Sequence, residues 1–452
     1  MLCIVIYMQR LSKILIVLAA AALPFKYGPI YAWPFVFLIL AAAAFKLVSI
    51  TANKTENEPR EFFFGTKVLS FFFLFLAIGS VNNWLIYGIS YTTLKAIIID
   101  FLLLGIYAIG FLLVLSYGAD PKFRKSVLAG FLAPLVFTPF VFMPDLAKKL
   151  NFVSGTNMFE GLQKGEPTSF ASIVLIPFII LTVSFMRETD WKRKLFYLFG
   201  ITLTSSLILW SGVRISWFAA CFSALLILIF ELKRKKTYRL KFAATTFSLL
   251  AAAALVSFIV LSHDAQISIL NRVFPQVTEY TYSEEIIKST SLPKALNKII
   301  QNPKPYLLYQ HRDSIWPQAT RLLVQNPFGL GLNYHVSSRA ILQDGQITKA
   351  HNLFLEGGLQ GGIGALIIYS FFIWKLVSCI MNARKKNEEW LILSVAFSSL
   401  FIIAFVNGVF LINDIFIAAL ILSLEQIIPV SGNGGGQRNL PKVFLDTNQS
   451  SV

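Results

Sequence analysis

The sequence predicts an all-α, polytopic integral membrane protein with about twelve transmembrane helices. Apolar residues make up 56% of the 452 residues, and only 14% are charged. This is more apolar surface than one soluble core could bury. The apolar residues also fall in runs long enough to cross a hydrocarbon layer of ~30 Å, with short polar connections between them.

The predicted spans are recognised by their length and by their low content of charge. A basic pair, Arg10 and Lys13, precedes the first run as in a signal peptide, but no convincing cleavage site follows, so we predict a retained first helix. The spans lie near residues 12–25, 30–50, 66–86, 93–117, 126–144, 168–187, 194–211, 213–232, 240–262, 353–378, 390–408 and 411–429.

Basic residues in the short connections predict the orientation of the chain. Lys and Arg cluster in alternate loops, at 122–125, 187–194, 233–239 and 384–386, and are almost absent from the others. Because such residues are retained in the cytoplasm, both termini are predicted to be cytoplasmic. The formal charge of +17 therefore reflects topology and contacts with membrane lipids, and no nucleic-acid partner is predicted.

This topology divides the chain into four parts. Residues 1–262 contain the first nine spans, and residues 263–352 are predicted to form one large, partly helical loop outside the cytoplasm. Residues 353–430 contain the last three spans, and residues 431–452 form a glycine-rich cytoplasmic tail that is predicted to be disordered.

The large loop contains all four histidines of the chain. None of them forms a pair at ligand spacing on a helix, and no cysteine or acidic cluster joins them, so neither a metal site nor any other cofactor is predicted. Within the loop, the residues around Arg321 are predicted to form a helix that ends at Asn326-Pro327. A turn containing Gly329 and Gly331 follows it.

Several short motifs lie in and beside this loop. They are Arg312 with Trp316, the turn Pro327-Phe328-Gly329-x-Gly331, His351-Asn352 followed by Gly361 and Gly364, and, upstream, Ser211-Gly212-Val213-Arg214 at the start of a helix. Together they resemble the signature region shared by bacterial O-antigen ligases and O-antigen polymerases. The resemblance extends to the topology and implies a GT-C-like glycosyltransferase fold.

The function implied by the resemblance to the ligases belongs to lipopolysaccharide biosynthesis. A glycan would be transferred from undecaprenyl diphosphate to a sugar hydroxyl of the lipid A core oligosaccharide, on the periplasmic face of the bacterial inner membrane. Two alternatives remain open. One is a polymerase that extends the glycan on its undecaprenyl diphosphate carrier, and the other is a flippase or transporter of lipid-linked glycans, although no internal repeat is evident.

The chemistry of the donor indicates which residues would act. Negative charge develops on the diphosphate as the sugar leaves, and Arg214 and Arg312 are the predicted catalytic cations, because arginine pairs with phosphate bidentately. His351 is the predicted general base for the acceptor hydroxyl, which would invert the anomeric carbon without a metal ion. Four flanking residues are predicted to contact the diphosphate or the sugar: Arg321, His311, Asn352 and Trp316.

Each of these residues also has a purely structural explanation. Arg214 at a helix end could be an interfacial anchor, Arg312 a solvated charge, and His351 a capping or interfacial residue. The glycine spacings between residues 357 and 364 are predicted to serve close helix packing, with approach of the lipid diphosphate as the alternative.

Overall fold

A computed structural model of the protein describes most of the predicted spans and parts of the large loop. The described residues are 2–22, 33–52, 60–88, 91–133, 135, 167–211, 213–234, 248, 251–252, 255–256, 258–259, 266–267, 270, 291–301, 312–332, 334, 342–343, 346–347, 350, 352–383, 387–407 and 412–424.

The described part of the chain consists of α-helices and one short antiparallel hairpin, in which Leu342 pairs with Ile347 and Gln343 pairs with Gln346. The helices are α1 (Leu2–Ala22), α2 (Trp33–Ala52), α3 (Arg60–Tyr87), α4 (Tyr91–Tyr117), α5 (Pro121–Gly130), α6 (Pro167–Arg187), α7 (Trp191–Trp210), α8 (Arg214–Arg234), α9 (Leu292–Gln301), α10 (Arg312–Gln325), α11 (Leu353–Asn382), α12 (Glu388–Asn407) and α13 (Ile412–Leu424); the strands are β1 (Leu342–Gln343) and β2 (Gln346–Ile347).

Six of these helices are long and apolar enough to cross a membrane, namely α1, α3, α4, α8, α11 and α12, and shorter apolar helices lie in α2, α6 and α13. The chain is therefore a multi-pass membrane protein. The predicted span at 240–262 lies almost entirely outside the described residues, and of the one at 126–144 only the beginning is described. Every other predicted span coincides with a described helix, and the count of twelve stays a prediction.

The long helices pack in antiparallel pairs. Helices α8 and α12 touch through Ser223 and Ser399, whose hydroxyl oxygens are 2.6 Å apart, and through the rings of Phe230 and Trp390, whose centroids are 5.4 Å apart. Position 223 meets 399 and position 230 meets 390, so the two helices run in opposite directions. The start of α8 therefore lies beside the end of α12.

Two further ring contacts extend this arrangement to α11 and α3. Phe354 in the first turn of α11 lies 6.1 Å from Phe405 near the end of α12, and Tyr369 of α11 lies 5.1 Å from Phe72 of α3. We call the end of the bundle where α8 and α11 begin the Arg214 end, after the first residue of α8. Helices α3 and α12 finish at this same end.

The opposite end of the bundle is held by ion pairs between helices, and we call it the ion-pair end. Arg124 of α5 pairs with Glu389 of α12, and both side chains are almost fully buried. Arg187 of α6 donates to Glu231 of α8 across 2.7 Å. Buried charges are tolerated in such a setting because each has a partner of opposite charge.

The first helix begins ten residues before the predicted apolar run, at Leu2. The ammonium of Lys13 donates to Asp120, 2.8 Å away, at the N-cap of α5. This hydrogen bond is the largest of the effects that hold the pKa of Asp120 below its usual value. It also holds the middle of α1 against the beginning of α5, the helix that contains the basic residues of the predicted loop at 122–125.

Candidate functional site

Helix α11 is broken close to the Arg214 end. Gly362 has φ 71° and ψ −166°, which interrupts the helix between Gly361 and Ile363. From Ile363 to Asn382 there are about 20 residues of helix, or ~30 Å, enough to cross the hydrocarbon layer alone. The break therefore separates a short helix, Leu353–Gly361, from a part of α11 that is long enough to span by itself.

The turn that follows α10 fills this break. The amides of Leu330 and Gly331 donate to the carbonyls of Leu359 and Gln360, at 2.6 and 2.8 Å. In the other direction, the amide of Ile363 donates to the carbonyl of Pro327 at 2.9 Å. Two carbonyls and one amide beside the interruption are thus paired with the turn, as apolar surroundings favour.

The glycines of the turn are required by this contact. Gly329, Gly331 and Gly362 all have positive φ, near 82°, 73° and 71°. A Cβ at Gly329 would lie 2.4 Å from the amide nitrogen of Gly362, and one at Gly362 would lie 2.3 Å from the carbonyl oxygen of Pro327. Because the obstructing atoms belong to the backbone, neither position has room for a side chain. The predicted helix end and glycine turn are confirmed.

The end of α3 supports the turn from the other side. Asn82 donates from Nδ2 to the carbonyl of Gly329 at 2.7 Å, and Asn83 donates to the carbonyl of Leu330 at 2.6 Å. A Cβ at Gly79 would lie 2.1 Å from the carbonyl oxygen of Gln360, so α3 and α11 also meet backbone to backbone. Two helices, α3 and α11, therefore hold the turn in place.

A small apolar core lies above the break and is separate from the main core of the bundle. Ile315 in the first turn of α10 belongs to it together with Leu330, Tyr334, Ala350 and Leu359, which are all buried. It joins the beginning of α10 to the residue that precedes His351. The first turn of α10, the glycine turn and the start of α11 therefore form one assembly.

A buried carboxylate lies at the centre of this assembly. Glu356 is 2% exposed, and its Oε2 accepts hydrogen bonds from the hydroxyl of Tyr334 at 3.0 Å and from the amide of Ala350 at 3.1 Å. Gln360 donates to its Oε1 at 3.3 Å. Burial first, and the negative charge of Glu356 second, raise the pKa of Tyr334. The tyrosine hydroxyl stays protonated and serves as a donor.

Arg214 is positioned by a sharp corner between α7 and α8. The hydroxyl of Ser211 accepts from the amide of Val213 at 3.3 Å, and the indole nitrogen of Trp217 donates to the carbonyl of Ile208 at 3.0 Å. Arg214 itself is half-buried. The corner fixes the start of α8 and with it the level of the arginine at the Arg214 end.

The stretch that holds these features also matches a known family. A family model described as O-antigen ligase matches residues 199–370, from α7 into the second half of α11. Over these residues the chain is similar to the O-antigen ligase family. No curated protein and no solved structure matches the chain. The resemblance found in the motifs is thereby confirmed.

The O-antigen ligase family covers ligases and related polymerases, which are membrane glycosyltransferase-like enzymes. In general terms the family acts on lipid-linked glycans and on lipid A core. The matched residues include the corner at Arg214, helix α10, the glycine turn and the break in α11. The supporting asparagines Asn82 and Asn83 lie outside the family match, on α3.

The predicted residues on α10 do not share one face of the helix. Arg312 is its first residue and Arg321 is nine positions later, which places them about 180° apart around the axis at about 100° per residue. Arg321 is exposed. Trp316 is partly buried and packs against the small apolar core. The roles of Arg312, Trp316 and Arg321 in substrate binding stay predictions.

Asn352 has a clear structural task. Its Oδ1 accepts hydrogen bonds from the amides of Phe354 and Leu355, at 3.1 and 3.2 Å, so it is the N-cap of α11. Asn352 is also buried. The oxygen that a substrate hydroxyl would meet is already used, and substrate contact by Asn352 stays a prediction.

The predicted base, His351, and the flanking His311 lie outside the described residues, as do His263 and His335. Within the described part, no group of three or more His, Cys, Asp or Glu side chains could hold a metal ion. The roles of the histidines and the expected absence of a metal therefore stay predictions.

Sequence reasoning missed Glu356, Tyr334 and the asparagine pair. Glu356 is the only acidic residue of α11, and Asn82-Asn83 is an amide pair in the mostly apolar second half of α3. Polar residues within apolar helices are rare and usually functional, so this signal was available for both. Tyr334 has no comparable signal, because a tyrosine in a polar loop is ordinary.

Proposed function

We propose that this protein is an O-antigen ligase that transfers a glycan from undecaprenyl diphosphate to a sugar hydroxyl of the lipid A core. The observation that carries the proposal is the assembly at the Arg214 end. Three parts of the matched stretch lie at this end of the bundle. They are the corner at Arg214, helix α10, which begins at Arg312, and the residues on either side of His351.

The two arginines supply what the donor requires. As the glycosidic bond to the diphosphate breaks, negative charge grows on the phosphate oxygens, and fixed cations stabilise that charge. The guanidinium groups of Arg214 and Arg312 remain charged at any physiological pH and pair with phosphate oxygens in a bidentate manner. The energy comes from the donor diphosphate, so no nucleotide takes part.

His351 supplies the base. A neutral imidazole accepts the proton of the acceptor hydroxyl as that oxygen attacks the anomeric carbon. One displacement inverts that carbon and releases undecaprenyl diphosphate. His351 follows the buried Ala350 and precedes the helix cap Asn352, so both of its chain neighbours are held.

A polymerase is the second candidate, because the family includes both activities. It would use the same diphosphate chemistry, but its acceptor would be a glycan that is itself carried on undecaprenyl diphosphate. One large predicted loop at 263–352, with only a modest second one at 145–167, favours the ligase.

The broken helix also bears on the transporter alternative, since transporters carry interrupted helices near the middle of the membrane. In this protein the break lies about 20 residues from the far end of α11, and because that length alone spans ~30 Å, we expect the break at the edge of the hydrocarbon layer. Its free carbonyls are taken by the glycine turn. The position of the break favours an enzyme that works at one face.

Purified protein in nanodiscs tests the proposal, with undecaprenyl diphosphate glycan as donor, lipid A core as acceptor, and EDTA present. We expect glycan on lipid A core, and a loss of at least about a hundredfold in rate for His351→Ala. Arg193→Ala is the matched control, because Arg193 is exposed at the ion-pair end, and it should keep the full rate.

The possible products separate the candidates. Longer glycan on the carrier with lipid A core unmodified would identify a polymerase. No product in either pool would return the transporter to first place. Activity lost with EDTA and restored by a divalent ion would show that a metal ion takes part.

A further inference from the structure

We infer that Glu356 and Tyr334 form an anchor that positions His351 for its task. The inference rests on the proposed function, because it assigns Glu356 and Tyr334 the role of positioning the proposed base. Glu356 and Tyr334 come from different segments, 22 positions apart, and both are buried.

The anchor holds the backbone directly before His351. The amide of Ala350 donates both to Glu356 Oε2, at 3.1 Å, and to the hydroxyl oxygen of Tyr334, at 3.2 Å. The tyrosine in turn donates to the same carboxylate oxygen at 3.0 Å. Three groups therefore form a closed triangle of hydrogen bonds with the Ala350 amide as one corner.

A carboxylate is suited to this position. A buried charge is strongly unfavourable unless it is compensated, and hydrogen bonds to an ionised oxygen are among the strongest in proteins. An ionised Glu356 accepts from several donors at once, which an amide side chain in its place could not do equally well. The geometry of Ala350 is therefore fixed by the charge as well as by packing.

The anchor is also tied to the rest of the site. Gln360 donates from its side chain to Glu356 Oε1, and its carbonyl accepts from Gly331 of the glycine turn. On the other side of His351, Asn352 caps the same helix that bears Glu356. The residues before and after His351 are thus fixed to one short helix, Leu353–Gly361, whose position the turn determines.

Three variants test the anchor: Glu356→Gln, which keeps the size but removes the charge, Tyr334→Phe, which removes one corner, and their combination. Glu231→Gln is the matched control, since Glu231 is an equally buried carboxylate at the ion-pair end. Each is measured for kcat, for KM of the lipid-linked donor, for thermal unfolding, and for hydrogen exchange of the Ala350 amide.

We expect Glu356→Gln to lower kcat by about ten- to a hundredfold with KM changed by less than about twofold, because misplacing a catalytic group by ~1 Å has effects of this size. Exchange at Ala350 should accelerate by about tenfold or more. Tyr334→Phe should have a smaller effect of the same kind. The double variant should be little worse than Glu356→Gln, because both changes disrupt one triangle. Glu231→Gln should lower thermal stability and leave kcat unchanged.

Other results would overturn the inference. They are an unchanged kcat in Glu356→Gln, a fall in kcat that only parallels the loss of folded protein as in Glu231→Gln, or unchanged exchange at Ala350. If the wild type transfers glycan to neither acceptor, the proposed function is wrong. The exchange measurement then still decides whether Glu356 and Tyr334 anchor Ala350, since it does not depend on catalysis.

Discussion

The position of Arg214 fits two different roles, an interfacial anchor and a partner for the donor diphosphate. It is half-buried at the first position of α8, where an interfacial anchor is also expected. The two roles differ in what they need from the side chain. An anchor needs a long stem with a charge, which lysine also provides, whereas a bidentate phosphate partner needs the planar guanidinium.

We therefore predict that Arg214→Lys lowers kcat/KM for the lipid-linked donor by about tenfold to a hundredfold, with little change in thermal stability. Transfer of glycan to lipid A core is the measurement. Arg193→Lys is the matched control, because Arg193 is 70% exposed at the ion-pair end, and it should behave as the wild type. Equal rates for Arg214→Lys and the wild type would assign Arg214 to anchoring alone.

Asn352 also has a structural role and a predicted role in substrate contact. Its side chain caps α11 through the amides of Phe354 and Leu355. We predict that Asn352→Ala lowers stability by about 1 kcal/mol, as measured by denaturation in detergent, and that Asn352→Asp restores it, because a carboxylate accepts the same hydrogen bonds and favours a helix N-terminus.

The pair of variants at Asn352 also tests substrate contact. If Asn352 acts only as a helix cap, Asn352→Asp should restore activity together with stability. If Asn352→Asp is as stable as the wild type but inactive, the amide group itself takes part in substrate binding, and the sequence-based prediction for this residue is right.

At the scale of elements, the contact between the glycine turn and the break in α11 organises the site. The turn has its backbone within hydrogen-bonding distance of α11 on one side and of the α3 asparagines on the other. Such an arrangement leaves no space for side chains where the segments meet. It depends on glycine at positions 329, 331 and 362.

We predict that Gly329→Ala destabilises the protein by at least ~1–2 kcal/mol, because a residue with a Cβ is strained at positive φ and its Cβ would meet the backbone of Gly362. Gly105→Ala is the matched control. Gly105 lies within α4, and a Cβ there would meet nothing within 4 Å. It should be neutral or stabilise the helix by about 0.5–1 kcal/mol.

Thermal unfolding of the purified variants measures both changes. Glycan transfer should fall in Gly329→Ala and remain in Gly105→Ala. Equal melting temperatures for the two variants would show that the turn is not held against α11 as described.

The elements were predictable from sequence where local pattern decides them. Apolar runs gave the helices, and the Asn326-Pro327 end and the glycine turn after α10 are confirmed. Close packing of α11 at its glycines is confirmed at Gly364, where a Cβ would lie 2.2 Å from the ring of Phe75 of α3. The same glycine run also contains the break at Gly362, which the spacing alone did not indicate.

The tertiary partners could not be predicted in this way. Asn82 and Gly329 are 247 positions apart, and no periodicity within either segment records that they touch. Likewise, the sequence marks Glu356 as an acid in an apolar helix but does not show that Tyr334 and Ala350 lie beside it. The site depends on contacts between distant segments, and these are visible only in the folded chain.

For the whole molecule, the two ends of the bundle differ in their charges. At the ion-pair end, Arg124 and Arg187 are paired with acidic residues of neighbouring helices, and the exposed Arg193 lies beside Glu188 and Asp190. The predicted cytoplasmic loops with their clusters of Lys and Arg belong to this end. By the positive-inside rule, we predict that the Arg214 end faces the opposite side of the membrane, where the predicted donor and acceptor would meet.

Cysteine labelling tests this orientation directly. In a background in which Cys3, Cys221 and Cys379 are replaced by serine, we compare Arg193→Cys at the ion-pair end with Val324→Cys on α10, two positions that are 70% and 74% exposed. A membrane-impermeant maleimide should label only the Val324→Cys variant in intact spheroplasts and both variants after permeabilisation. The reverse pattern would place the Arg214 end in the cytoplasm, where a ligase for a periplasmic acceptor could not work, and would overturn the proposed function together with the predicted topology.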